Sequence, residues 1–216
     1  MTSAISEPTP GRRERRRRQV HEQILDAAVG LFQRKGFAST TALEIADNAD
    51  VAEKTFYNHF PTKQHLIEEL AGRSIEGTAR LLAEARALPA STADRLRHFC
   101  ERSADVAELG TRELTREVIL ELVRMAQVDG VGPGRQRHLH VEIRALLQDG
   151  LARGDVQPER DVEFISELGV AAFLGTIINW VTLPNYPLRE RLRSLAEVGA
   201  ELLERRIAPE PAKVDR

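Results

Sequence analysis

At 216 residues the chain has room for one large domain, or for a small domain joined to a larger one. Its 42% hydrophobic and 30% charged composition fits a helix-rich globular protein with disordered ends, and its one cysteine, Cys100, excludes a disulfide framework and a cysteine-based zinc cluster while fitting a reducing, cytoplasmic setting. The net charge of −2 conceals an asymmetry, because six of the ten Lys/Arg in residues 1–65 fall within Arg12–Arg18 and the remainder of the chain is acidic. Basic charge is therefore local, and the acidic body would be repelled by a polyanion such as DNA.

Residues 1–11, with Pro8, Pro10 and Gly11, read as a flexible tail. Val20, Ile24, Ala27, Ala28, Leu31 and Phe32 recur at helical spacing and predict a first helix over about 13–35, ended by Gly36 as a left-handed cap. The amphipathic run QVHEQILDAAVGLFQ argues against a signal peptide. Thr41 and Glu44 form a capping-box pattern that opens a second helix to about Ala49, and a third follows over about 53–59. Thr62 is placed as the cap of a long fourth helix running to about Leu88, before Pro89. Further helical patterns cover about 91–108, 112–127 and 135–153, with the loop DGVGPG between the last two, then 159–183 and 187–206, split by PNYP. No strand pattern and no repeat occurs. The expected fold is all-α with about nine helices: a small N-terminal three-helix unit and a larger helical body.

Residues 41–63, TALEIADNADVAEKTFYNHFPTK, have the layout of a helix-turn-helix DNA reader, whose second helix is offered to the major groove. Leu43, Ile45 and Ala46 are expected to face the first helix, Val51 to be buried in the turn, and Phe56 and Phe60 to fasten the third helix. That leaves Glu53, Lys54, Thr55, Tyr57, Asn58 and His59 pointing partly outward, with groups suited to phosphates and base edges. Lys63, beside the free N–H groups that begin the fourth helix, reads as part of a phosphate clamp. Arg12–Arg18, with Arg16 and Arg17 foremost, is either a solvated charge run or a basic arm gripping phosphates or a minor groove.

The run TTALEIADNADVAEKTFYNHFPTKQHLI, with ILDAAVGLFQRKGF before it, resembles the signature of the tetracycline-repressor (TetR) family over about residues 18–70. The resemblance implies double-stranded DNA with a palindromic operator as partner, a homodimer, and a C-terminal effector pocket. Domains follow as a tail over 1–12, a DNA-binding domain over 13–61, a ligand-binding and dimerisation domain over 62–208, and a tail over 209–216. Thr41, Tyr57 and Lys63 are the expected DNA anchors. Two positions depart from the family pattern. Asp50 stands where a turn glycine is usual, and Ala52 replaces the usual serine cap, for which Asp50 and Glu53 could supply a capping box one turn earlier. Glu53 either accepts from a cytosine amino group or faces solvent.

In the body, dense small and apolar residues on the last two helices suit close packing between two such pairs, as in a homodimer. Phe99, Met125, Ile143, Leu147, Phe173 and Ile177 are candidate effector contacts, with Trp180 beside Asn179 as the foremost pair and Cys100, Leu122, His98, Arg124 and His140 as further candidates. A small, mainly apolar effector is expected. Leu168–Leu183 is an uncharged run shorter than the roughly 20 residues of a bilayer span, so a buried helix and no membrane partner are expected. His138 and His140, like His98 and Cys100, are two apart and face different sides of a helix. No phosphate loop, nucleophile motif or HExxH occurs, so neither enzyme nor cofactor is expected. The alternative reading is a DNA-binding regulator without an effector, constitutive or switched by a protein, which a body filled by its own side chains would favour.

Overall fold

The computed structural model describes residues 11–127, 132–159 and 161–204, leaving out the side chains of 126–138 and Glu204. Among these residues there are nine helices and no strand: α1 (Arg12–Lys35), α2 (Ala42–Asn48), α3 (Glu53–His59), α4 (Lys63–Arg86), α5 (Thr92–Leu109), α6 (Arg112–Gln127), α7 (Gly132–Arg153), α8 (Val162–Thr182) and α9 (Leu188–Glu204). The chain divides into two compact units, the first ending at Glu69 and the second beginning at Leu70.

In the first unit, α1 buries Ile24, Leu25, Ala28, Leu31 and Phe32 on one side, the spacing of an amphipathic helix. Gly36 ends it with φ 82° and ψ 160°, not the left-handed helical cap that was expected. That backbone region is essentially open to glycine alone. The capping box of α2 forms as expected: the Glu44 amide donates to Thr41 Oγ1 at 3.2 Å, and the Thr41 amide to Glu44 Oε2 at 2.8 Å. Ile45 and Ala46 are buried, whereas Leu43 is 52% exposed and Val51 only half-buried. On a helix, Leu43 stands about 200° from Ile45 and so cannot share its inward face.

Asp50 adopts φ 51°, the left-handed turn that its position demands. Ala52 caps α3 without any side-chain hydrogen bond, so the capping box suggested for Asp50 and Glu53 is not formed. A residue held in the turn cannot also act as the cap two positions on. The unit extends to Glu69, beyond the expected boundary at 61, because side chains tie the first turns of α4 back to α1 and its loop. Lys63 Nζ donates to the Phe37 and Thr40 carbonyls, each at 2.7 Å, and His21 Nε2 meets Glu69 Oε2 at 2.8 Å.

In the second unit, Leu82, Phe99, Ala104, Leu146, Leu147, Val170, Phe173, Trp180, Leu192 and Leu203 share one apolar core. Helix α5 packs along α9, and α8 lies against α6, α7 and α9. Arg189 on α9 spans Asp105 at 3.0 Å and Glu108 at 2.6 Å on α5, and also pairs with Glu101. Such exposed pairs set register more than they add stability. Helix α7 begins at Gly132, earlier than the expected 135, and takes Pro133 and Gly134 into its first turn, where proline costs no hydrogen bond. The rest of that expected loop, 129–131, lies outside the described residues.

Helix α8 is long and apolar enough, by length and composition, to cross a membrane, and 28% of its most apolar window is buried. One such helix is weak evidence for a span. The expectation of a buried helix holds on one face only. Val170, Phe173, Trp180 and Val181 are buried, while Phe164, Leu168, Leu174 and Ile178 are exposed.

Candidate nucleic-acid interface and effector cavity

The outer face of α3 follows from what fastens the inner one. Phe56 is fully buried and Phe60 nearly so, their ring centroids 6.1 Å apart, while Tyr57 sets its ring edge-on to Phe56 at 5.3 Å. With those rings inside, Glu53, Lys54, Tyr57 and Asn58 are exposed, and Thr55 and His59 half-buried. Among the described residues, no hydrogen bond or ion pair engages the side chains of Lys54 or Asn58. A short helix thus presents an ammonium, a phenol and an amide together, the groups that contact phosphates and base edges.

The other sequence candidates have different surroundings. The Thr41 hydroxyl accepts from the Glu44 amide and donates to Glu44 Oε2 at 2.9 Å, so it is engaged within its own helix start. Lys35 also pairs with Glu44. That ion pair, followed by the Thr41 hydrogen bonds, holds the Glu44 carboxyl down at about 2. Lys63 is not placed as a phosphate clamp: its ammonium holds the two carbonyls of the α1–α2 connection and sits 4.2 Å from the centre of the Phe37 ring. Buried carbonyls need donors, and the lysine supplies them from the next helix.

His59 lies 5.6 Å from His21, which stacks on Phe60 at 4.5 Å and binds Glu69. Burial, then the neighbouring His21 and Arg17, lowers the His59 pKa, so this ring stays neutral more readily than a free histidine. Sequence reasoning did not find the His21–Glu69 pair, since no local signal joins residues 48 apart. Arg16 and Arg17 are exposed on the first turns of α1. Being helical, this stretch is about 10–12 Å across against a minor groove of about 6 Å, so as an arm it would reach phosphates or that groove with its side chains and not its backbone.

The second unit contains a cavity of about 330 Å³ among α4, α5, α6, α7 and α8. Phe173 and Ile177 line it, as do Leu122 and His140. Phe99, Met125, Ile143, Leu147, Asn179 and Trp180 are not among its lining residues. Phe99 backs it from within the core, its ring 5.1 Å from that of Phe173, and Ile143 and Leu147 are likewise core. Trp180 is buried with the Arg112 guanidinium over its ring at 5.6 Å, and Asn179, about 100° round the helix, is exposed. Cys100 is also core, and burial pushes its thiol up to about 12, so it is an unreactive thiol.

The residues that do form the wall include Ser103, Val106 and Ala107 on α5 with its C-cap Gly110, and Thr115, Val118, Ile119 and Leu122 on α6. The α5 set falls at positions i, i+3, i+4 and i+7, a stripe of small side chains that was legible as a helix face. Small residues there leave room between backbones, and that is how the void arises.

Residues 24–70 match the profile of the bacterial regulatory proteins of the tetR family. Over 67 residues the chain is 37% identical to the transcriptional regulator YvkB of Bacillus subtilis, covering 31% of this chain and 35% of that protein. The chain thus spans about a third of that relative's length. A longer alignment, 27% identical over 176 residues, covers 79% of this chain and 78% of the transcriptional repressor KstR of Mycolicibacterium smegmatis. The fold is that of the regulator FadR from Bacillus subtilis, solved with stearoyl-CoA, at a TM-score of 0.67 and 20% identity over 84% of this chain and 98% of that one. A helix-turn-helix unit that matches the family's profile and a helical body that shares a regulator's fold together support a TetR-family transcriptional regulator.

Proposed function

We propose that the protein is a cytoplasmic, dimeric repressor that lays α3 of each subunit in a major groove of a palindromic operator and is released by a small, mainly apolar effector. The observation that carries the reading is the void of about 330 Å³ in the second unit, lined chiefly by apolar side chains. A body packed solid would have favoured the regulator without an effector. Helix α4 is continuous, burying Leu66 and Ile67 at one end and lending Ser74, Ile75, Thr78 and Leu81 to the cavity at the other. A ligand that prefers one α4 position would shift the protein towards that conformation, and release requires only that preference.

The apolar exposed face of α8, with Phe164 and Leu168, supports the dimer, together with Val198 of α9 at 63% exposure. Faces of that kind are ordinarily covered by a partner. A single recognition helix also reads too few base pairs to bind tightly alone. The acyl chain of the stearoyl-CoA in the FadR structure supports a ligand with an apolar part, and KstR, a transcriptional repressor, supports repression.

The test is selection of genomic DNA fragments on the full chain, then anisotropy titration of the selected sequence. Lys54→Ala and Asn58→Ala each weaken binding about tenfold while leaving the melting temperature unchanged, since loss of one specific contact costs about 1–3 kcal/mol. Variants that bind like the wild type would remove α3 as the reader.

A further inference from the structure

The cavity also bears on what its ligand must be, an inference that rests on the effector reading above. Its wall carries four hydroxyls on three helices, at Ser74 and Thr78, at Ser103 and at Thr115. Thr78 donates to the Ser74 carbonyl at 2.9 Å and Thr115 to the Thr111 carbonyl at 3.0 Å, so both protons are spent inside their own helices. Ser103 differs. The residue is 7% exposed, and its Oγ is the buried side-chain polar atom that has no hydrogen-bond partner among the described residues. Buried hydroxyls ordinarily find partners, and an exception calls for an explanation. An acceptor that arrives with a ligand supplies one.

The same wall excludes as well as invites. Among the described residues no Lys, Arg, Asp or Glu lines the cavity, and His140 is the one titratable side chain there. An ionised carboxylate or phosphate would lose its water there without meeting a fixed counter-charge. Thr78 and Thr115 keep oxygen lone pairs, so the wall can also accept a hydrogen bond from a ligand hydroxyl. We infer that the cavity takes a neutral, mainly apolar molecule carrying a keto or hydroxyl oxygen, and that the Ser103 hydroxyl donates to that oxygen. At about 330 Å³ the space is at the small end of ligand pockets, which suits a single short chain or ring system.

Calorimetric titration of the full chain with decan-1-ol, decan-2-one, decanoate and lauroyl-CoA at pH 8 tests this. The alcohol and the ketone bind, and the two anions bind at least about tenfold more weakly. Ser103→Ala lowers affinity for both neutral probes by roughly 3–10-fold, the worth of one hydrogen bond, without lowering the melting temperature of the unliganded protein, because no internal bond is lost. Decanoate or lauroyl-CoA binding as tightly as the neutral pair overturns the inference. So does failure of both neutral probes to bind, or a Ser103→Ala variant with wild-type affinity. The wild-type probe series decides the ligand class even if that variant does not fold. Operator release is read separately by anisotropy. Neutral probes that bind through Ser103 yet leave operator affinity unchanged uphold the anchor and remove the release mechanism proposed above.

Discussion

The two units put function in opposite places. In the first, a seven-residue helix is held by two buried phenylalanines so that its polar side chains point outward. In the second, the candidate site is a void between five helices, and its principal polar group points into the wall of that void. An outward face needs only one helix in the correct rotation. A void needs every surrounding helix at the correct separation. The first kind of site therefore tolerates change in its neighbours less through shape than through loss of its fastening, while the second is sensitive to backbone spacing.

Breaking the fastening gives the largest expected effect. Phe56→Ala removes a fully buried ring and costs about 3–5 kcal/mol. Amide exchange should then speed up in α1–α3 while α5–α9 keep their protection; a uniform loss across both units would mean that they do not behave as separate bodies. In the second unit, a Cβ on Gly150 would press into Thr92 Oγ1 and Val156 Cγ2, where α7 approaches the start of α5. Gly150→Ala should cost about 1–3 kcal/mol by urea unfolding, as overpacking does, and weaken neutral ligands while sparing the operator.

Smaller changes sharpen the contrast. Asp50 holds φ 51° without the freedom of glycine, so Asp50→Gly should stabilise the first unit by up to about 1 kcal/mol in a denaturant titration. The effect expected to be smallest concerns acid. Glu44 has a folded pKa of about 2 against an ordinary 4.5, so its contribution is fully present above pH 4.5 and fades as pH falls towards 2. The melting-temperature gap between wild type and Glu44→Gln should close across that window; a gap that persists at pH 2.5 would assign the stability to packing.

Local signals made the first unit readable. Thr41 and Glu44 are three residues apart, Asp50 sits within its own turn, and the aromatic spacing at Phe56 and Phe60 is a property of one helix. Each of these is a contact or backbone preference between near neighbours, so the chain states it directly. Lys63 shows the limit even there, because its partners at Phe37 and Thr40 are more than twenty residues away and turn an expected phosphate ligand into a brace.

The composition and periodicity of the chain were enough to specify helices and their order, and the motif over residues 41–63 was enough to suggest the reader and, by resemblance, the family. They could not specify which apolar residues line a space and which fill it. Trp180 and Asn179 were adjacent in sequence and suggestive in chemistry, yet one is buried under Arg112 and the other is exposed. Ser103 looked unremarkable, and its lack of a partner exists only once α4, α5, α6 and α8 have closed around it. A periodic pattern records which side of a helix is apolar, whereas a cavity is a sum over several helices of what their side chains fail to fill.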